Sequence, residues 1–234
     1  MKAADAPCLA GEAVAVPGYL RDTYWGAYVD PRAVRLFERQ WLVNLILWGN
    51  FGRLRDAALD SLGSSLQGRT LQIACVYGDL TQRLLERHAG GAQFDVLDVL
   101  PVQLDNLARK LARRAPVGMI HADSTRLLDI ASASYDRAVL FFLLHEQPEQ
   151  ARRATLAEAL RVVKPGGSLV IVDYHRPHRT HPLYYPMMAI LRTLEPFALD
   201  LWRHELAEWL PHKVRKLKKD IAFGGLYQIV RIIA

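Results

Sequence analysis

A chain of 234 residues, about half of them hydrophobic, suits a single α/β domain with appendages and leaves little room for two. No apolar run reaches the roughly 20 residues needed to span a bilayer, because the strongest, residues 41–51, is followed within two positions by Arg53. Cys8 and Cys75 are the only cysteines, too few for a disulfide framework or a thiolate metal cluster, and the net charge of +6 favours anionic partners.

Residues 1–20 carry Pro7, Pro17 and Gly18 without periodicity and read as a flexible tail. They lack the hydrophobic stretch of a signal peptide, so a cytoplasmic location is expected. From Asp30 to about Leu62, apolar positions including Val34, Phe37, Trp41 and Leu45 recur near helical spacing. With Asp30 as N-cap and Pro31 at the first helical position, this predicts one helix or two. LQIACVY (71–77) reads as a buried strand that turns into a helix over 79–88. Strands at 94–99, 118–121 and 135–144 follow, with helices over 101–114 and 148–163, then a turn at Lys164-Pro165-Gly166-Gly167 and a strand over 168–174. Such alternation predicts an α/β fold with a doubly wound, mostly parallel sheet covered by helices on both faces. Helices around 183–209 then lead to two strand-like stretches joined through Gly224 and Gly225, a closing hairpin. The expected division of the single domain 21–234 is N-terminal helices to 67, a core over 68–175, a helical cover over 176–210 and the hairpin over 211–234.

In a doubly wound sheet, ligands sit beyond the carboxyl ends of the strands, where a carboxylate on the second strand meets a ribose. Asp98 ends the second strand, twenty residues beyond Gly78, and its carboxylate can accept from both ribose hydroxyls of an adenosine; a surface aspartate is the plainer alternative. Asp123 and Ser124, after the third strand, are placed to meet the adenine edge, or are ordinary loop residues. No G-x-G-x-x-G follows the first strand, which disfavours a nicotinamide dehydrogenase.

Residues 68–175, with the KPGG turn and its following strand, resemble the class I S-adenosylmethionine-dependent methyltransferases. That family's first loop usually reads D-x-G-x-G-x-G, whereas this chain has Gln72 at the acidic position and Ala74, Val76 and Tyr77 before the single Gly78. Cofactor grip at Gln72, Ala74, Tyr77 and Gly78 is therefore expected to differ. Tyr77 either lies over the sulfonium, donates a proton, or fills the space left by missing glycines.

The segments WLVNLILWGN (41–50), ACVYGDLT (74–81), FFLLHEQP (141–148), VDYHRP (172–177) and LEPFALDLW (194–202) together resemble the RquA family of rhodoquinone biosynthesis proteins, and this likeness covers nearly all the chain after residue 19. The resemblance implies conversion of ubiquinone to rhodoquinone, an amino group replacing a ring methoxy group. It implies S-adenosylmethionine as amino donor and a divalent metal, manganese. Gln72 in place of a carboxylate suits an amine that must be neutral to attack the ring.

His145-Glu146 and Asp173-Tyr174-His175 end the fourth and fifth strands, so N and O donors that suit manganese converge at one sheet edge. The expected metal ligands are His145, Asp173 and His175, and the expected catalytic residues are His145, Tyr77 and Tyr174. Alternatively, His145 and Asp173 orient substrate or satisfy backbone groups. Residues 183–202 offer Tyr184, Tyr185, Met187, Met188, Phe197 and Trp202 either as a quinone pocket or as core packing. A bilayer-resident substrate implies peripheral association with the inner membrane, aided by the cluster Lys213, Arg215, Lys216, Lys218 and Lys219. No nucleic-acid partner is expected, since the basic residues lack an interleaved aromatic groove. A conventional methyltransferase acting on a quinone or small aromatic, and a non-catalytic scaffold of quinone biosynthesis, are the competing readings.

Overall fold

The computed structural model describes residues 14–24, 39–75, 77–112, 115–211 and 214–234. The expected helix start at Asp30 and Pro31, and Cys8, Val76 and Lys213, lie outside them. The described strands form one sheet in the order β3-β2-β1-β4-β5-β7-β6. They are β1 (Arg69–Ile73), β2 (Gln93–Asp98), β3 (Val117–His121), β4 (Tyr135–Phe141), β5 (Val163–Tyr174), β6 (Lys216–Ala222) and β7 (Tyr227–Ile233). Strands β1 to β5 pair in parallel. β7 runs antiparallel between β5 and β6, so the two last strands form the expected hairpin and close this edge of the sheet, with β6 outermost.

The central strands read as near-continuous apolar runs because helices cover both their faces. Leu71, Ile73, Val139, Leu140, Val170 and Ile171 are fully buried, each stabilising the fold by about 1.5–3 kcal/mol relative to exposure. Helices α1 (Gly18–Thr23), α2 (Gln40–Ile46), α3 (Phe51–Leu62), α4 (Leu80–Glu86), α5 (Pro101–Lys110), α6 (Glu149–Val162) and α7 (Tyr184–Leu194) join or cover the strands. α3 turns Phe51, Leu54, Ala58, Leu59 and Leu62 inward at helical spacing.

Over the described part of the predicted helical stretch there are two helices, one of the expected alternatives, separated where Trp48 and Gly49 both take positive φ (52° and 77°). Two local expectations change. The first strand stops at Ile73 instead of continuing to Tyr77, because Ala74 enters the left-handed region at φ 73°. The KPGG segment lies within β5 as an irregularity against β4, with Gly166 at φ 79°. A Cβ on Gly167 would sit 2.7 Å from the Asp136 carbonyl oxygen and 2.8 Å from that of Lys164, so backbone contact, not a turn, demands glycine there.

Candidate functional site

A cleft opens at the carboxyl ends of β1, β2 and β4 and holds about 610 Å³, part of it open to solvent. Each strand end leaves a short connection there, the position where parallel α/β sheets bind ligands. Ala74 and Cys75 form the β1 wall, Leu97 to Leu100 with Gln103 the β2 wall, and Phe142, Leu143, Glu146 and Gln147 the β4 wall. Asp123 and Ser124 reach it from beyond β3, and Tyr19 and Leu20 of α1 complete the lining.

Asp98 is the buried anion of this cleft. Its Oδ2 accepts the Cys75 backbone N–H at 2.7 Å and its Oδ1 accepts that of Leu100 at 2.8 Å. Burial pushes its carboxyl up to about 6, against the lowering influence of those two N–H donors. Asp123 caps its own turn through Thr125 N–H at 2.8 Å. Ser124 Oγ lies 2.9 Å from Thr155 Oγ1 and accepts from Gln147 Nε2 at 3.2 Å, a buried polar network behind the cleft floor.

The first loop is pinned from outside. Lys110 Nζ donates to the Gly78 carbonyl at 2.6 Å, and Arg55 grips both Asp79 oxygens at 2.8 Å. Gln72 is fully buried; its Oε1 accepts from Thr81 at 3.0 Å and its Nε2 donates to the Ala74 carbonyl at 3.0 Å. It therefore fastens the loop rather than lining the cleft. Tyr77 is also outside the lining; its hydroxyl accepts at 3.1 Å from Gln103, which is within it. Gly78 packs against Phe51, whose Cζ would lie 2.4 Å from an added Cβ.

Behind the β4 wall, His145 Nδ1 donates to Asp173 Oδ1 at 3.0 Å. Burial alone would lower the His145 pKa, but the Asp173 carboxylate outweighs it and pushes it up to about 9. His145 Nε2 lies 3.8 Å from Glu146 Oε1, so the buried histidine stands one residue behind a carboxylate that faces the cleft. Tyr174 meets the His145 ring edge-on at 5.0 Å, is buried, and is outside the cleft lining; burial raises its phenol well above the usual range. Arg152, fully buried, donates to the carbonyls of Leu144, Gln147 and Phe197, at 3.0, 2.9 and 3.0 Å, and lies over Trp209. It clamps this wall to the segment that follows α7.

The expected metal set does not assemble. Asp173 is buried, and its two oxygens already accept from Leu144 N, His145 N, His145 Nδ1 and Tyr174 N. His175 donates through Nδ1 to the Gly225 carbonyl at 2.8 Å, and its Nε2 is 3.3 Å from Lys219 Nζ, which leaves no nitrogen for a metal. Among the described residues no group of three or more His, Cys, Asp or Glu side chains is placed to hold a metal ion. Manganese therefore does not fit these residues. Of the described members of the basic cluster, Lys219 pairs with Glu205 and Lys218 with Asp220.

Sequence reasoning missed Tyr19, Leu20, Cys75, Gln103 and Gln147 as lining residues. The tail assignment hid the first two, although Leu20 is buried and Tyr19 meets Phe197 edge-on at 6.3 Å. The apolar pair Tyr19-Leu20 directly after Pro17-Gly18, a helix start, was the available signal.

Comparison with known proteins agrees with this geometry. Residues 70–167 match the methyltransferase domain family. An uncharacterised methyltransferase of Synechocystis is 26% identical over 208 residues, 88% of this chain and 92% of that protein. A demethylmenaquinone methyltransferase of Beutenbergia cavernae is 31% identical over 143 residues, 60% of this chain and 55% of that enzyme, so the match spans little more than half its length. Among solved structures, the N-methyltransferase NodS from Bradyrhizobium japonicum in complex with S-adenosyl-L-homocysteine superposes with a TM-score of 0.59 at 14% identity, covering 92% of this chain and 98% of that one. Human N-acetylserotonin methyltransferase in complex with S-adenosylmethionine gives 0.63 at 14% identity, covering 93% and 60%. Residues 70–167 thus match the methyltransferase domain family, within a chain whose fold is that of the class I S-adenosylmethionine-dependent methyltransferases.

Proposed function

We propose that this protein uses S-adenosylmethionine to modify a quinone ring, and that the reaction is replacement of a ubiquinone methoxy group by an amino group. The observation that carries the cofactor assignment is Asp98, a buried carboxylate at the end of β2 that lines the cleft. It would accept from the ribose hydroxyls, with Asp123 and Ser124 along the adenine edge. When bound, S-adenosylmethionine supplies the nitrogen in this reading. The quinone assignment rests on the RquA-like segments, and demethylmenaquinone methyltransferases among the relatives support a quinone class. Amination is favoured by the first loop, where neutral Gln72 is consumed by Thr81 and Ala74 and offers no carboxylate to an ammonium.

Glu146 is the ionisable group on the β4 wall. It would take a proton from the attacking nitrogen as the new carbon–nitrogen bond forms and pass it to the departing methoxy oxygen, which leaves as methanol. Release of the free amino group would further require the nitrogen's original bond to the cofactor carbon to break, with water as co-reactant leaving a hydroxyl on that carbon. Asp173 holds the His145 ring through Nδ1, so that Nε2 stands 3.8 Å from the Glu146 carboxylate.

Conventional methylation of a quinone is the second reading, supported by the same demethylmenaquinone methyltransferase relatives. Mass spectrometry of products from purified protein, S-adenosylmethionine and ubiquinone separates the two, with and without manganese. A quinone that has exchanged methoxy for amino supports amination. A methylated demethylquinone with S-adenosylhomocysteine, and no aminated product under either condition, would replace it by the second reading.

A further inference from the structure

The exposed apolar surface of the described residues is unevenly placed. Trp41, Leu45, Ile46 and Trp48, from α2 and the turn after it, are 40–64% exposed. Tyr185 and Leu194 of α7 are each 66% exposed. The two groups meet, because Trp48 Nε1 lies 3.0 Å from the Met187 sulfur. α7 buries Tyr184, Met187 and Leu191 on its inner side, so its outer apolar residues are surplus to the core.

Charge around this face is mostly basic, with the exposed Asp56 paired to Arg55 and Glu195 just past Leu194 at its borders. Residues 39–55 and 174–194 contain six arginines and no Asp or Glu, in a chain that has 24 acidic residues. Arg55 is tied to Asp79, but Arg39, Arg53, Arg176, Arg179 and Arg192 are exposed. Tryptophan and tyrosine with a basic rim suit the interfacial layer of a bilayer, where aromatic rings sit among headgroups and arginines meet phosphates. A symmetric contact between two copies would instead set arginine rim against arginine rim without a facing carboxylate in either segment.

We propose that α2, the Trp48 turn and the outer side of α7 form a docking face for an anionic phospholipid bilayer. The face adjoins the site, since Trp41, Phe51 and Arg55 border one shallow cleft and the Phe51 ring packs on Gly78 of the first loop. The proposal deepens the quinone reading by bringing the protein to the phase that holds such a substrate, yet it rests on the surface alone.

Its test involves no turnover, so it can fail independently of the quinone reading. The full chain is sedimented with phosphatidylcholine vesicles with and without phosphatidylglycerol, at low and high salt, and tryptophan emission is recorded alongside. Binding should require the anionic lipid, weaken with salt and shift the emission to shorter wavelength. L45E and L194E, both at largely exposed positions, should each retain the wild-type melting temperature and lower partitioning about tenfold. Absence of binding to anionic vesicles at low salt overturns the proposal, as does unchanged binding by both variants. A wild-type dimer that either variant splits, with no vesicle binding, assigns the face to a second copy and equally overturns it.

Discussion

The Asp98 carboxylate holds the Cys75 backbone N–H at 2.7 Å, so the residue proposed to bind a ribose also fixes the loop that leaves the first strand. In that proposal, ligand recognition and loop geometry share one side chain. Asp98→Ala should therefore lower S-adenosylmethionine affinity by more than one lost pair of hydrogen bonds, about a hundredfold. Calorimetric titration of a folded variant checks this, and unchanged affinity would remove Asp98 from the cofactor site.

The same carboxyl gives a pH dependence. It is pushed up to about 6, so it is ionised above that pH and protonated below it. The ionised form accepts two hydroxyls, whereas the acid has lost acceptor capacity. Cofactor affinity should fall as pH drops through 6, and Asp98→Asn should flatten that dependence. Titrations at a series of pH values would show it.

Two positions of the first loop respond oppositely to a methyl group. Ala74 sits at φ 73°, a region that disfavours any Cβ, while Gly78 sits at φ 85° with Phe51 in the way. Ala74→Gly should raise stability by about 0.5–1 kcal/mol. Gly78→Ala should lower stability by at least about 2 kcal/mol and weaken cofactor binding, because the loop must move off Phe51. Denaturant unfolding of both variants measures the contrast.

His145 predicts a loss of stability in alkali. Its pKa is raised from 6.5 to about 9 in the folded protein by Asp173, so the pair's contribution is complete below pH 6.5 and is lost as pH rises through 9. The loss should be about 2–3 kcal/mol over that window and should vanish in His145→Gln. Asp173→Ala leaves a buried imidazole without its counter-charge and should destabilise by about 3–5 kcal/mol. Unfolding curves between pH 6 and 10 provide the measurement.

Glu146→Gln should lower turnover about 100-fold or more while leaving cofactor affinity near wild type, since the proton acceptor acts only in the chemical step. Single-turnover rates together with calorimetry separate the two. For manganese, His175→Ala should leave any measured binding unchanged, because both ring nitrogens are already engaged. Equilibrium dialysis in which that variant loses a bound ion would restore His175 as a ligand.

Strand and helix alternation from Leu71 to Tyr174 was legible in the sequence because buried parallel strands are short apolar runs and the helices between them have amphipathic spacing. Asp98 was legible too, since its distance from Gly78 follows from the length of one helix and one strand. The fate of polar side chains was not. Gln72, Asp173 and His175 stand where ligand-binding residues are expected, but their bonds go to Thr81, to four nearby donors, and to Gly225 and Lys219. Hydrogen-bond saturation is a property of neighbours brought together by folding, and a linear sequence does not state it. Tyr19 and Trp48 show the same division: Tyr19 lies in a segment with weak local signal and Trp48 in a strongly apolar one that reads as core, and only packing against Phe197 and Met187 fixes one at the cleft and the other on the exposed apolar face.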